Sequence, residues 1–217
     1  MTAKGLFIVI EGIDGSGKTT QIENLKAYFQ KKGAEAIVTR EPGGTKIGEK
    51  IREILLNPDN KEMDPIAEML LYAASRAQHV KELIEKNLKE GKHVICDRFV
   101  LSSYVYQGFA RGIDLEAVKK VNEIAMQGVV PDIIFFINIS DEESFKRRMG
   151  RSYCDRIENE EKEFHINVCK GYRKLAKDME NAVWIDGMKS VDEVAKDMIA
   201  YIEKKLYDIA IVGTQNK

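Results

Sequence analysis

The sequence predicts an α/β fold, a three-layer sandwich in which a five-stranded parallel sheet is flanked by helices. Three observations carry that expectation. Five short apolar runs lack polar alternation, helical patterns fill the intervals, and a glycine-rich turn joins the first run to the first helix. Runs of that kind suit strands covered on both faces, the usual state of a parallel sheet.

The first run is Leu6 to Glu11, and it leads directly into a glycine-rich segment and a helix that opens around Lys18. Ala36 to Arg40 is the second run. Asp64-Pro65 then sets an N-cap and a first-turn proline at the head of a long helix directed toward Glu90, with Gly91 as its stop. His93 to Asp97 and Ile133 to Asn138 are the third and fourth runs, and Ala182 to Asp186 is the fifth. Ser140 with Glu143, and Ser190 with Glu193, have the spacing of capping boxes, so a helix is expected after each of the last two runs.

With 44% hydrophobic and 32% charged residues, the 217-residue chain is too apolar for disorder and long enough to bury a sizeable core. One domain is expected over residues 1–206, followed by a tail at 207–217. Lys146 to Glu163 is dense in Arg, Asp and Glu, and reads as an exposed mobile segment inside that domain. A balance of 34 basic against 35 acidic residues argues against a nucleic-acid footprint; any basic cluster is local and suits a small polyanion. No stretch of 18 apolar residues and no export-type leader is present, so neither a membrane partner nor secretion is expected. Cys96, Cys154 and Cys169 form no CxxC pair and read as reduced thiols of a cytoplasmic protein.

The chemistry concentrates first at Gly12-Ile13-Asp14-Gly15-Ser16-Gly17-Lys18-Thr19, which fits GxxxxGK[ST] between a buried strand and a helix. Glycines there let backbone N–H groups turn inward around a phosphate, and the helix N-terminus adds partial positive charge. Lys18 is placed to reach the β- and γ-phosphates of ATP, and the Thr19 hydroxyl to ligate Mg²⁺. This defines the sheet as that of a P-loop NTPase. A GTPase would also need Asn-Lys-x-Asp; Asn60-Lys61-Glu62-Met63-Asp64 has one residue too many, which disfavours that class.

A second cluster follows from the rule that ligands bind beyond the carboxyl ends of parallel strands. Asp97-Arg98 ends the third run, with Asp97 a candidate for the metal shell and Arg98 for gripping phosphate bidentately. Arg40-Glu41-Pro42-Gly43-Gly44-Thr45 ends the second, with Arg52 beyond it. Tyr72 and Arg76 are four residues apart on the long helix and share a face, so a base can stack on one and meet the other.

Taken in order, these motifs resemble the thymidylate kinase family over nearly the whole chain, from Phe7 to about Leu206. The resemblance rests on the strand and P-loop, on Thr39 to Thr45, and on Leu71-Tyr72-Ala73-Ala74-Ser75-Arg76. It continues through Asp97-Arg98-Phe99, Ser102-Ser103-Tyr104-Val105-Tyr106-Gln107-Gly108, and Cys154-Asp155-Arg156-Ile157-Glu158. It implies transfer of the γ-phosphoryl group of ATP to dTMP, with Mg²⁺, in a cytoplasmic homodimer. It further implies that Tyr72 stacks on thymine, that Arg76 and Gln107 meet the base edge, and that Ser103 lines the base pocket. Tyr106 would underlie the deoxyribose, and Asp14 would meet its 3′-hydroxyl. Arg40, Arg52 and Arg98 would surround the acceptor phosphate, with Glu41 and Asp97 arranging metal and water. ATP would be held by Gly12 to Thr20 and by Arg147. The P-loop has no arginine, so the catalytic arginine is expected in a lid at about 147–160, among Arg147, Arg148, Arg151 and Arg156, with Arg151 the first choice. Phe99 stands where Tyr or His is common in the family.

Two other classes compete with that reading. A deoxynucleoside kinase would use Glu41 as a base toward a neutral hydroxyl, but three guanidinium groups suit a charged acceptor better. A regulatory ATP switch would not require the second pocket of Tyr72, Arg76 and Gln107.

Overall fold

The computed structural model describes residues 4–148 and 155–215. The chain runs through β1 (Phe7–Glu11), α1 (Lys18–Lys31), β2 (Ala36–Arg40) and α2 (Lys46–Leu56). A continuous helical run follows: α3 (Pro65–His79), a wider π turn (Val80–Ile84) and α4 (Glu85–Lys89). After β3 (His93–Asp97) come the short α5 (Val100–Ser103), a second π segment (Tyr104–Ala110) and α6 (Leu115–Met126). The remainder is β4 (Ile133–Asn138), α7 (Asp141–Arg148), α8 (Lys162–Leu175), β5 (Ala182–Asp186) and α9 (Val191–Gln215). The expected first strand loses only Leu6, and the other four coincide with the runs read from sequence.

The strands pair in parallel in the order β2-β3-β1-β4-β5. β1 is central, flanked by β3 on one side and β4 on the other. Side chains alternate between two cores. Phe7, Val9, Val94, Cys96, Ile134 and Phe136 join the long helical run, α5 and α8 on one face. Ile8, Ile10, Ile95, Ile133, Phe135 and Ile137 meet α1 and α9 on the other. That double burial explains the unbroken apolar runs of the three inner strands. The edge strands depart from it: Val38 on β2 and Trp184 on β5 are partly open to solvent, because each edge has a neighbour on one side only.

Local signals set the helix starts. Asp64 Oδ1 accepts from the Ile66 and Ala67 amides, ahead of Pro65. Ser190 and Glu193 close a reciprocal capping box, Ser190 Oγ accepting from the Glu193 amide and Glu193 from the Ser190 amide. Gly91, at φ +81°, ends the long run. The stretch expected as a tail is helical as far as Gln215, a direct continuation of α9.

Candidate active site

A cavity of about 470 Å³ opens beyond the carboxyl ends of β1, β2 and β3. Two walls face each other across it.

The first wall is the loop between β1 and α1. Gly12, at φ +149°, leaves no room for a Cβ, which would lie 2.7 Å from Ile137 O and 2.8 Å from Ser16 Oγ. Lys18 is buried, and its Nζ rests on the carbonyls of Gly12 at 3.1 Å and Ile13 at 3.3 Å. Burial lowers its pKa, as does the neighbouring Arg98 cation, against the pull of Asp14, Asp97 and Glu11. Asp97 Oδ1 and Ser16 Oγ are buried without a hydrogen-bond partner among the described residues. Thr19 and Thr20 line the cavity mouth. Arg147 on α7 reaches the loop, donating from Nη1 to Gly15 O at 3.2 Å and from Nε to Glu143 at 2.7 Å.

Arg98 sits at the junction of the walls. Its backbone is left-handed, at φ +67°, and its amide donates to Ile10 O. The side chain donates to Asp14 Oδ1 at 2.6 Å and to the Tyr172 hydroxyl at 2.7 Å, and lies over the Tyr106 ring. Beneath it Glu11, fully buried, accepts from the Phe99 amide, from Ser102 and from Tyr172. Burial raises the Glu11 pKa, while Arg98 and those hydrogen bonds pull the other way.

The second wall is built by α3, the second π segment and the β2–α2 loop. Arg76 is buried, and each of its nitrogens already has a protein acceptor. Nε and Nη2 lie 2.8 Å from Glu41 Oε2, Nη2 also donates to Phe99 O, and Nη1 donates to Ser103 and Asn122. Glu41 gives its other oxygen to His79 Nδ1 at 3.0 Å, and His79 Nε2 lies 2.7 Å from Thr39 Oγ1. Gly44, at φ +78°, passes so close that a Cβ would sit 2.7 Å from His79 Nε2. Gln107 Nε2 donates to Glu68, and Tyr72 and Tyr106 line the cavity. Burial holds both phenols above the ordinary tyrosine pKa.

The structure thus brings Asp14, Lys18, Thr19, Arg40, Glu41, Arg52, Tyr72, Arg76, Asp97, Arg98, Ser103, Tyr106 and Gln107 to one cavity. Four expectations need correction. Glu41 is not a free carboxylate: Arg76 and His79 already engage both of its oxygens, so a role as base or toward metal must share those contacts. Arg76 is not a bare donor awaiting a base; a base contact must share or displace a contact it already makes. Arg40 reaches the rim but is not free for phosphate: it is half exposed and pairs with Glu49 at 2.7 Å. Arg156 is not an exposed lid arginine: it is buried, donating to Leu55 O at 2.7 Å and Glu68 at 2.6 Å. Arg151 and Cys154 lie outside the described residues, and so does the side chain of Arg148.

Sequence reasoning missed Glu11, Glu68, His79, Asn122 and Tyr172. A signal existed for two of them: Glu68, Tyr72, Arg76 and His79 recur at helical spacing, which puts them on one face of α3.

A family model described as thymidylate kinase matches residues 10–198. A thymidylate kinase of Thermoanaerobacter sp. (strain X514) is 53% identical over 204 residues, covering 94% of this chain and 100% of that protein. That of Caldanaerobacter subterraneus subsp. tengcongensis is 52% identical over 204 residues, covering 94% and 97%. That of Desulfosudis oleivorans is 47% identical over 207 residues, covering 92% and 97%.

Proposed function

The chain belongs to the thymidylate kinase family and phosphorylates dTMP with ATP, giving dTDP and ADP for dTTP synthesis, and we propose how its side chains divide that work. One observation supports the division above the others. A single cavity is lined on one side by Lys18 and Thr19 of the glycine loop, and on the other by Tyr72, Gln107 and Arg98.

The second pKa of a phosphate monoester is about 6, so the attacking oxygen of dTMP is already an anion at neutral pH. The transfer needs no general base; its obstacle is repulsion between two polyanions. Lys18 answers that obstacle on the ATP side. Arg98 does so where the two phosphates meet, and Arg52, whose Nη1 donates to Pro42 O at 3.0 Å, does so at the acceptor phosphate. ATP lies along Gly12 to Thr20, with Arg147 beside the loop. Tyr72 stacks on thymine, Ser103 and Gln107 border its edge, and Arg76 holds that border in place while lending what polarity it has to spare. Tyr106 carries the sugar and Asp14 its 3′-hydroxyl. The occupied carboxylate of Glu41 weighs against the deoxynucleoside kinase alternative, which would need it as a base.

Mg²⁺ fits this site. Asp97 Oδ1 is a buried carboxylate oxygen with no hydrogen-bond donor, and Thr19 lines the same cavity; together they would hold the ion or its water shell. When bound, it supplies charge neutralisation and alignment of the phosphates.

The lid expected at about 147–160 is anchored at its far end by buried Arg156, and within it Arg151 supplies a cation to the transferring group and excludes water. The packed part of the kinase domain ends near residue 206, and α9 runs on beyond it to Gln215. The protein works in the cytoplasm as a homodimer, pairing through α3 and α6, which leave Ile66, Leu70 and Ile124 exposed. Sedimentation at micromolar concentration should give twice the monomer mass. The function itself is tested by coupled ADP release with dTMP, dUMP, dCMP, UMP, AMP and thymidine. Preference for dTMP supports it; turnover of thymidine but not dTMP sinks it.

A further inference from the structure

Behind the pocket, the polarity of one buried group settles that of another. Glu68 on α3 is 1% exposed and surrounded by donors. Arg111 reaches it from Nε at 3.2 Å and Nη2 at 3.0 Å, Arg156 from Nη2 at 2.6 Å, and Gln107 from Nε2 at 2.9 Å. Burial pulls the Glu68 pKa up. The hydrogen bonds from Arg111, Gln107 and Arg156 outweigh it and hold the group below the ordinary glutamate value, so it is ionised at neutral pH.

An ionised carboxylate only accepts hydrogen bonds, whereas a carboxamide has a donor end and an acceptor end. Turning the Gln107 amide over would set two acceptors face to face in a buried site, at the cost of both. Its Nε2 must therefore face Glu68. Its Oε1 meets no donor among the described residues, and Gln107 lines the cavity.

We propose that Glu68 is a positioning residue that fixes the reading polarity of Gln107, locking its amide so that the pocket offers an acceptor and selects bases that donate at that edge. Thymine carries N–H at N3; a cytosine ring carries a lone pair there. The pocket then rejects the 4-amino pyrimidine because two acceptors would oppose each other, in addition to any question of size. The inference rests on the base-pocket reading of Gln107 given above.

The test compares kcat/KM for dTMP with that for 5-methyl-dCMP, which keeps the methyl group and reverses the polarity at N3. Gln107→Met, similar in shape and without polarity, should lower kcat/KM for dTMP by about 10-fold or more. If it leaves dTMP unaffected, the base-pocket reading is wrong and the proposal goes with it. Glu68→Gln replaces the obligate acceptor by a group that either donates or accepts, so the Gln107 amide is free to turn. The dTMP to 5-methyl-dCMP ratio should then contract by about 10-fold or more, with an absolute gain for 5-methyl-dCMP. General loosening would lower both substrates together and give no gain. If Gln107→Met costs dTMP activity and Glu68→Gln leaves the ratio unchanged, the base pocket stands and the polarity lock falls.

Should Glu68→Gln not fold, the wild-type enzyme carries the test through its side-chain amide NMR spectrum. The Gln107 pair, assigned by its absence in Gln107→Met, should show one proton shifted strongly downfield and protected from exchange. A free-amide pair, exchanging with water at the rate of an exposed glutamine, overturns the lock.

Discussion

The glycine-loop wall and the base-pocket wall of the cavity follow opposite plans. On the loop side, polar groups are left unmet: Lys18 leans on carbonyls of its own loop, and Asp97 Oδ1 and Ser16 Oγ have no hydrogen-bond partner among the described residues. On the base side, polar groups are saturated by one another: Arg76 by Glu41, Ser103, Asn122 and Phe99, and Glu68 by Gln107, Arg111 and Arg156. On the proposed division, the loop side awaits a ligand of high charge, whose oxygens and counter-ion would complete it, and the base side, for a ring of one shape, is stiffened before the ring arrives.

That contrast can be broken or sharpened by measurement. The largest effect is expected at a residue outside those described. Arg151→Ala should lower kcat by about 10³-fold or more while leaving dTMP affinity nearly unchanged, as read by steady-state kinetics and equilibrium titration. Near-normal turnover would return the catalytic cation to Lys18 and Arg98. Next is a stability effect specific to the base side. Glu41→Ala strands a buried guanidinium and should cost roughly 3–5 kcal/mol by denaturant titration. A loss below about 1 kcal/mol, the worth of an exposed pair, would mean that the saturated wall is not stiff.

Lys18→Ala should have the complementary signature: kcat down about 10²–10³-fold with the thermal midpoint little changed, because its hydrogen bonds go to loop carbonyls and its ion-pair partner Asp14, at 3.7 Å, keeps Arg98. A variant that unfolds would make the two walls alike.

A smaller effect concerns acid. The depressed Glu68 pKa contributes stability that is fully present above the ordinary glutamate value of 4.5 and lost as pH falls from there through the lower folded value. Melting temperatures across that range should fall less steeply for Glu68→Gln than for wild type; parallel curves would remove Glu68 from the account. Arg40→Ala should matter least. Its pair with Glu49 is exposed and worth under about 1 kcal/mol, and kcat/KM for dTMP should move by less than about 10-fold. A larger loss would promote Arg40 to a principal phosphate ligand.

The same contrast explains what the sequence disclosed. The loop wall is local: Gly12 to Thr19 is contiguous, and the glycine spacing, the lysine and the helix start can be read in a single pass. The strands were equally legible, because double burial removes polar alternation from the inner ones. The base wall is assembled from partners far apart in the chain, with Arg76 meeting Glu41 35 residues away and Asn122 46 residues away. Sequence spacing placed Tyr72 and Arg76 on one face but gave no sign that Arg76 was already engaged, nor that Arg156 turns inward to Glu68. Charge density marked 146–163 as exposed, and that inference failed for Arg156, because a charged residue with a buried counter-charge packs like a core residue, and for its neighbour Ile157, which joins the apolar core.

Position 98 carries two opposed demands, and arginine meets only one of them. The left-handed turn after β3, at φ +67°, favours glycine or asparagine, whereas the cavity requires a planar cation with several donors. A saturation library at this codon should therefore split into survivors of two kinds: well-folded glycine or asparagine enzymes with little turnover, and lysine enzymes that retain charge and the same backbone strain but lose grip. Reverting to arginine would be the only single step out of either group.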